Sequence, residues 1–243
     1  MNKFPEFMFA SVGSYLGNCV EGDYIRKYSG NCIVRDIIDG CSYKNGVLHS
    51  YEDKPAKIVN NRSFWYKDGK LSREGDKPAI VDDVNKIYEW YNDGVLDREN
   101  DLPARITSNS KMWCKKGRLH REGDKPAIIE GDKKEWWYNG SYHREGDLPA
   151  FIDGNRKEWW YNGKLHRDGD LPAITNNSYS SWWNNGKLHR VEDKPAVIDE
   201  KRVEWYQNGK IYREGNLPAV IHIDGEFIII RYNEGDELKM SYI

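Results

Sequence analysis

Residues 158–174 read "EWWYNGKLHRDGDLPAI". A histidine, an arginine and two aspartates stand here within five residues, His166 to Asp170. Such a cluster is either a catalytic loop or one copy of a building block, and the rest of the chain decides. Prolines fall at 55, 78, 103, 126, 149, 172, 195 and 218, every step being 23 residues except one of 25. An alanine follows each proline, and a glycine lies nine residues before it, from Gly46 to Gly209. Eight units share one frame over residues 42–225, numbered here 1 to 8 by their turn glycine. A fixed period in this range means an array of stacked units, not a globule with separate domains.

The chemistry of one unit specifies a hairpin. "YNGK", "NNGK" and "QNGK" place Asn-Gly between short runs of aromatic and aliphatic residues. A type I′ turn needs positive φ at both central residues, which Asn and Gly tolerate. The arm before the turn is "KEWWY" and the arm after it "KLHR". A second turn is marked by "EGDK" at 130–133, "DGNR" at 153–156, "TNNS" at 175–178 and "DEKR" at 199–202. The two-residue insertion falls in this second turn, within "VDDVNKIYEW" at 81–90, and keeps the alternation of faces. No apolar spacing of three and four is sustained, so helix is not expected.

Trp65, Trp90, Trp113, Trp136, Trp159, Trp182 and Trp205 form one column before the turn. With leucines after the turn, such as Leu71, Leu119 and Leu165, they make an inward stripe. Burying roughly 200 Å² of indole at about 25 cal/mol/Å² gives an upper bound of about 5 kcal/mol per Trp. One hairpin cannot bury that ring alone, and a stacked neighbour can. Two strands per unit at about 4.8 Å advance the array by about 10 Å per repeat, or roughly 80 Å over eight units. The expected fold is therefore all-β: a single elongated, solenoid-like array of tandem 23-residue β-hairpin repeats with atypical ends. Residues 1–41 read as an irregular N-terminal cap, 42–225 as the eight repeats and 226–243 as a degenerate capping hairpin.

Bulk composition narrows function further. Lys plus Arg (37) nearly balances Asp plus Glu (39) and no basic block appears, which removes the footprint of a general nucleic-acid binder. No apolar run approaches the roughly 20 residues of a membrane span. Cys19, Cys32, Cys41 and Cys114 lack metal-type spacing and fit a reducing, intracellular and cytoplasmic setting, although the first three could pair locally. The N-terminal "MNKFPEFMFASVG" is interrupted by Pro5 and Glu6 and reads as part of the protein rather than a signal peptide.

The repeated "W-[WY]-x-N-G-K-L-H-R-x-G-D-L-P-A" resembles MORN-type repeats, in a divergent form similar to predicted proteins of large DNA viruses of protists. The resemblance covers about three quarters of the chain. It implies a twisted hairpin array used as a scaffold, in some members at membranes or phosphoinositides, and for a viral protein a place in the host cytoplasm or the virion. Usual MORN units are richer in glycine and lack the Leu-Pro-Ala step. No catalytic residue transfers from it.

The chemical-looking residues read as scaffold. His49, His120, His143, His166 and His189 form a column in which copies one repeat apart are separated by about 10 Å, whereas a zinc ion needs ligand atoms within about 2 Å. Arg121, Arg144 and Arg167 recur with Asp124, Asp147 and Asp170 three positions beyond, and the expectation is an Arg–Asp bracket tying the "EGDLP" corner to its hairpin, with the guanidinium on a Trp. The "EGD" pieces lack calcium-loop or phosphate-loop context. No catalytic residue, metal or cofactor is expected.

Specificity has to be written on positions that the scaffold leaves free. Beside the Trp column runs Tyr43, Tyr66, Tyr91, Cys114, Trp137, Trp160, Trp183 and Tyr206, joined in the middle repeats by Tyr138, Tyr161 and Tyr142. This face is either covered by the corners or open to a partner. Trp137, Trp160, Trp183, Tyr138, Tyr161 and Tyr206 are the candidate partner-binding residues. Before the proline, Lys54, Lys77, Lys125 and Lys194 alternate with Leu102, Leu148, Leu171 and Leu217. The expected function is a non-enzymatic scaffold for another protein. Membrane-surface or carbohydrate binding is the second reading.

Overall fold

The computed structural model describes residues 35–38, 40–215, 217–224, 227–233 and 238–242, so the expected cap at 1–41 lies almost wholly outside the described residues. The described elements are all β-strands. The chain divides into two compact units, Met1–Val95 and Leu96–Ile243.

Repeat 5 shows how a unit is built. Ile128–Glu130 and Lys133–Glu135 pair antiparallel, with Ile129 opposite Lys134. Lys133–Glu135 then pairs with Phe151–Asp153 of the following unit. Trp137–Tyr138 and Ser141–Tyr142 form a separate short hairpin. Its turn residues Asn139 and Gly140 have φ of 49° and 84°, as a type I′ turn requires. The chain changes partner at Trp136. Its N–H donates to the Ala150 carbonyl (2.7 Å), while its carbonyl accepts the His143 N–H (3.1 Å).

This corrects one expectation. "KEWWY" is not a single arm: Lys133–Glu135 serves one hairpin and Trp137–Tyr138 another. The reason is visible in burial, since the consecutive residues Glu135 and Trp136 are both buried. An uninterrupted strand sends neighbours to opposite faces, so burying both beside a solvated face needs a change of direction between them.

The hairpins around the second turn, not the Asn-Gly hairpins, make the continuous sheet. In the second unit the sheet runs in sequence order from Arg105–Ile106 through each repeat to Val220–Asp224, Phe227–Arg231 and Leu238–Tyr242. It is a row of consecutive antiparallel hairpins. In the first unit Lys57–Val59, Arg62–Phe64, Ile80–Asp82 and Ile87–Glu89 pair in the same way. Ahead of them lies a small sheet of Arg35–Ile38, Cys41–Lys44 and Val47–Leu48. The insertion sits in a turn that Asp82 holds. Its carboxylate accepts from the Asn85 backbone N–H (2.8 Å), the Asn85 amide (2.9 Å) and Arg62 Nε (2.9 Å).

The Asn-Gly hairpins form a second row, linked repeat to repeat. The turn N–H of Gly140, Gly163, Gly186 and Gly209 donates to a carbonyl of the preceding repeat: Leu119, Tyr142, Leu165 and Leu188. Each histidine column member supports the same joint. Nδ1 of His120, His143, His166 and His189 accepts the turn amide N–H of Asn139, Asn162, Asn185 and Asn208 at 3.2–3.3 Å. The imidazole therefore presents an unprotonated Nδ1 to the next repeat.

The core is the Trp column and the alanine after each proline. The seven Trp side chains are 6–9 % exposed and the alanines 0 %. Each indole N–H donates to the backbone carbonyl of the corner aspartate one repeat back, as Trp136 does to Asp124 (3.2 Å) and Trp159 to Asp147 (3.0 Å). The guanidinium of the same repeat lies over the ring: Arg144 over Trp136 (3.8 Å), Arg167 over Trp159 (3.8 Å), Arg190 over Trp182 (3.6 Å). The partner seen on the face of these indoles is arginine.

The bracket also has a register that differs from the expectation. Arg167 Nε and Nη2 reach Asp147, at 2.7 and 3.0 Å, and not Asp170 three residues on. Arg144 holds Asp124 and Arg121 holds Asp101 with the same two-point geometry. Nη1 completes the knot on the proline carbonyl of its own repeat, Pro172 for Arg167 (3.3 Å). Arg121, Arg144, Arg167, Arg190 and Arg213 in the second unit, and Arg73 in the first, are thus rivets through two repeats. At the C-terminal end Asn233 substitutes for a further strand. Its Oδ1 accepts the Arg213 N–H (2.8 Å) and its Nδ2 donates to the Arg213 carbonyl (3.1 Å).

These rivets set an acid response. Hydrogen bonds from Arg121 and Lys125 pull the Asp101 carboxyl down to about 2, and that from Arg190, helped by Lys194 against partial burial, does the same for Asp170. Asp124, Asp147 and Asp193 are lowered too, each chiefly by its arginine. A folded pKa below the unfolded value of 3.8 gives stability that is complete above about pH 4 and lost as pH falls through about 2. Thermal melts followed by circular dichroism should be flat from about pH 7 to 5 and fall steeply below about 4. Unchanged stability down to about pH 2 would contradict the role given to the rivets.

Candidate functional site

The candidate surface is carried by repeats 5 and 6, within the second unit. In repeat 5 the carboxylate of buried Glu135 accepts from Trp137 Nε1 (2.8 Å) and Tyr142 Oη (2.6 Å), and pairs with Lys133 Nζ (2.7 Å). Burial alone would raise the Glu135 carboxyl, but the Lys133 ammonium, the tyrosine hydroxyl and the indole N–H together hold it below the usual range. The same burial, and the neighbouring Glu135, push the Tyr142 hydroxyl well above its ordinary value. Repeat 6 repeats the motif with Trp160 Nε1 on Glu158 (2.8 Å), which Arg156 Nε also meets (2.7 Å). In repeat 7 Trp183 Nε1 donates instead to the buried Ser181 hydroxyl (2.8 Å).

Anchored from below, the rings pack sideways. Trp137 and Tyr142 lie 3.8 Å apart by centroid, and Tyr142 stacks on Trp160 at 5.2 Å and 26°. Trp137, Trp160, Trp183 and Tyr206 are each half-buried. Of the two alternatives for this face, neither holds alone: it is partly covered. Tyr138 and Tyr161 are the open ones, at 49 % and 51 % exposure. A second line of rings runs beside them from His120 to Tyr138 (4.7 Å), His143 (6.0 Å) and Tyr161 (5.0 Å).

Two grooves open along this line. One, of about 710 Å³, is lined by Tyr138, His143, Glu145, Leu148 and Tyr161 among others. The other, of about 330 Å³, includes Glu145, Leu148, Tyr161, His166 and Asp168. Comparable grooves of about 410 and 620 Å³ recur between repeats 3 and 4 and between repeats 1 and 2. They are the spaces between successive corners.

The six candidate partner-binding residues are thus divided. Trp137, Tyr138, Trp160 and Tyr161 gather on two adjacent repeats. Trp183 and Tyr206 follow in repeats 7 and 8, anchored to Ser181 and Glu204. Sequence reasoning missed Glu135, Glu158, Glu145 and Asp168. A buried Glu directly before "WW" was the available signal for the first two. Cys114, in the same column, is buried, and its thiol is pushed up to about 11 chiefly by that burial. It is a packing residue rather than a nucleophile.

Among the described residues no helix is long and apolar enough to cross a membrane. No protein-family model, curated protein or solved structure matches this chain.

Proposed function

We propose that this chain is a non-enzymatic repeat scaffold that binds another protein through the aromatic surface centred on repeats 5 and 6. The observation that carries this reading is the pair of half-exposed tyrosines, Tyr138 and Tyr161, beside an anchored Trp137–Tyr142–Trp160 stack. Large rings held by buried acceptors lose little freedom on binding, which is what anchors an interface. The riveted backbone supplies rigidity, and the variable columns supply identity. An intracellular, scaffold-type role like that implied by the MORN resemblance belongs to the same proposal, supported by the free thiols of Cys41 and Cys114.

Combining Trp160→Ala with Trp183→Ala removes two rings of this surface and leaves the Trp core and the rivets in place. Affinity capture with the native chain from its own cells, compared with the double variant, should show loss of the captured protein while circular dichroism keeps a cooperative melt. Capture unchanged by the double substitution would overturn the reading. Carbohydrate binding is the second reading, supported by the tyrosines' placement beside exposed Asn139 and Asn162. A glycan array without signal would remove it. Anionic lipid is disfavoured by the acidic corners, Glu145 and Asp168, on the same surface.

A further inference from the structure

Repeats 5 and 6 differ from repeats 2 and 4 at one telling position, two residues before the turn glycine. In repeats 2 and 4 it is a lysine whose ammonium sits on the corner carboxylate: Lys67 on Glu74 (3.0 Å) and Lys115 on Glu122 (2.9 Å). In repeats 5 and 6 the corner carboxylates remain, as Glu145 and Asp168, but the lysine has become Tyr138 and Tyr161. The column before the proline changes in the same sense. Lys77 and Lys125 pair with Asp53 and Asp101, whereas repeats 5 and 6 carry the exposed Leu148 and Leu171.

Two consecutive repeats have therefore lost both lysines and kept the acid. The Glu145 and Asp168 side chains are 87 % and 97 % exposed. The contact each shows is with Nε2 of an imidazole of its own repeat, His143 at 3.8 Å and His166 at 3.2 Å, which supplies no full positive charge while Nδ1 accepts a backbone N–H. A carboxylate beside an open tyrosine ring is a seat for a cation, which gains an ion pair and a ring face together. In the sibling repeats the same corner carboxylate holds a lysine ammonium.

Resting on the scaffold reading, we propose that the grooves of repeats 5 and 6 receive two lysine or arginine side chains from a basic, polyproline-II segment of the partner protein. One cation sits against Glu145 and Tyr138, the other against Asp168 and Tyr161. The spacing selects the conformation. Successive repeats lie about 10 Å apart, from two strands at about 4.8 Å. A polyproline-II chain brings every third residue to the same face after about 9.3 Å. A β-strand repeats its face after about 6.6 Å or 13 Å, and neither fits. The tyrosine ridges and Leu148 between the seats suit the apolar faces of such a helix.

The test uses the full chain and a synthetic peptide of about four Lys-Pro-Pro units, titrated by calorimetry against a peptide of the same composition with its lysines grouped at one end. The spaced peptide should bind and the grouped one at least about fivefold more weakly. The decisive variant combines Tyr138→Lys with Tyr161→Lys, which refills each seat as repeats 2 and 4 do and so preserves the fold. It should weaken binding about tenfold at an unchanged melting temperature. Equal binding of the two peptides, full binding by the double variant or no binding of the spaced peptide would each overturn this proposal. Capture that is lost in the Trp160→Ala, Trp183→Ala variant, together with no peptide binding, would leave the scaffold reading standing and remove only the basic segment.

Discussion

Replacing Trp159 with alanine is expected to cost about 3–5 kcal/mol of folding stability. Three interactions go at once. The indole is 8 % exposed, so its burial is lost. Its N–H no longer meets the Asp147 carbonyl, which lies in the preceding repeat. Arg167 loses the ring beneath its guanidinium while its own bonds to Asp147 and Pro172 lose their support. Because the damage falls on a joint, urea denaturation should show a lower midpoint and hydrogen exchange should rise in repeats 5 and 6 together. A loss below about 1 kcal/mol, or exchange confined to repeat 6, would show that the Trp column is not what joins the repeats.

The second large effect comes from adding atoms. Ala150 is fully buried, its N–H donates to the Glu158 carbonyl (2.8 Å), and its carbonyl accepts the Trp136 N–H (2.7 Å). It stands where the ladder and Trp136 meet, with backbone bonds on both sides and its methyl group wholly shielded from solvent. Ala150→Leu should destabilise by about 1–3 kcal/mol, or more if the strands separate. Leu148→Lys, two residues earlier and exposed, serves as the control and should stay within about 0.5 kcal/mol. Thermal melts of the two proteins separate the cases. Equal melting temperatures would mean that the alanine column is a composition bias and not a packing constraint.

The period was legible because a Pro-Ala pair, a turn glycine and a tryptophan recur at fixed places in the unit. Asn-Gly likewise specified its turn, since both residues must take positive φ. The partner of each arginine was harder to read. In a strictly periodic chain, a partner three residues ahead and one twenty residues behind recur equally often. Only the ends break the tie. Repeat 1 keeps Asp53 but has Ser42 and Ser50 in the Trp and Arg columns; repeat 8 keeps Arg213 but has Asn216 in the Asp column. Tryptophan and arginine are thus missing where no earlier repeat supplies an aspartate, and aspartate where no further repeat of the frame follows. That asymmetry says that both side chains reach backward, as Arg73 reaches Asp53 and Arg213 reaches Asp193.

The candidate surface was less legible for a related reason. The doubled aromatics of "EWWYNG" stand out, yet the loss of a lysine is silent unless its partner is known. The contacts of Lys67 with Glu74 and of Lys115 with Glu122 give Tyr138 and Tyr161 their meaning as replacements. Strand alternation also failed at Trp136, where the chain leaves one hairpin for the next.

If each rivet joins one repeat to the one before it and all joints are equivalent, a whole period can be removed. Deleting residues 173–195 brings Arg213 to the same spacing from Asp170 that it now has from Asp193. The shortened chain should fold, with a cooperative urea transition and the near-ultraviolet dichroism of packed tryptophans. Deleting 173–184 removes about half a period and should abolish both. A whole-period deletion as disordered as the half-period one would mean that the repeats are not interchangeable modules locked through their neighbours, and the account would fall.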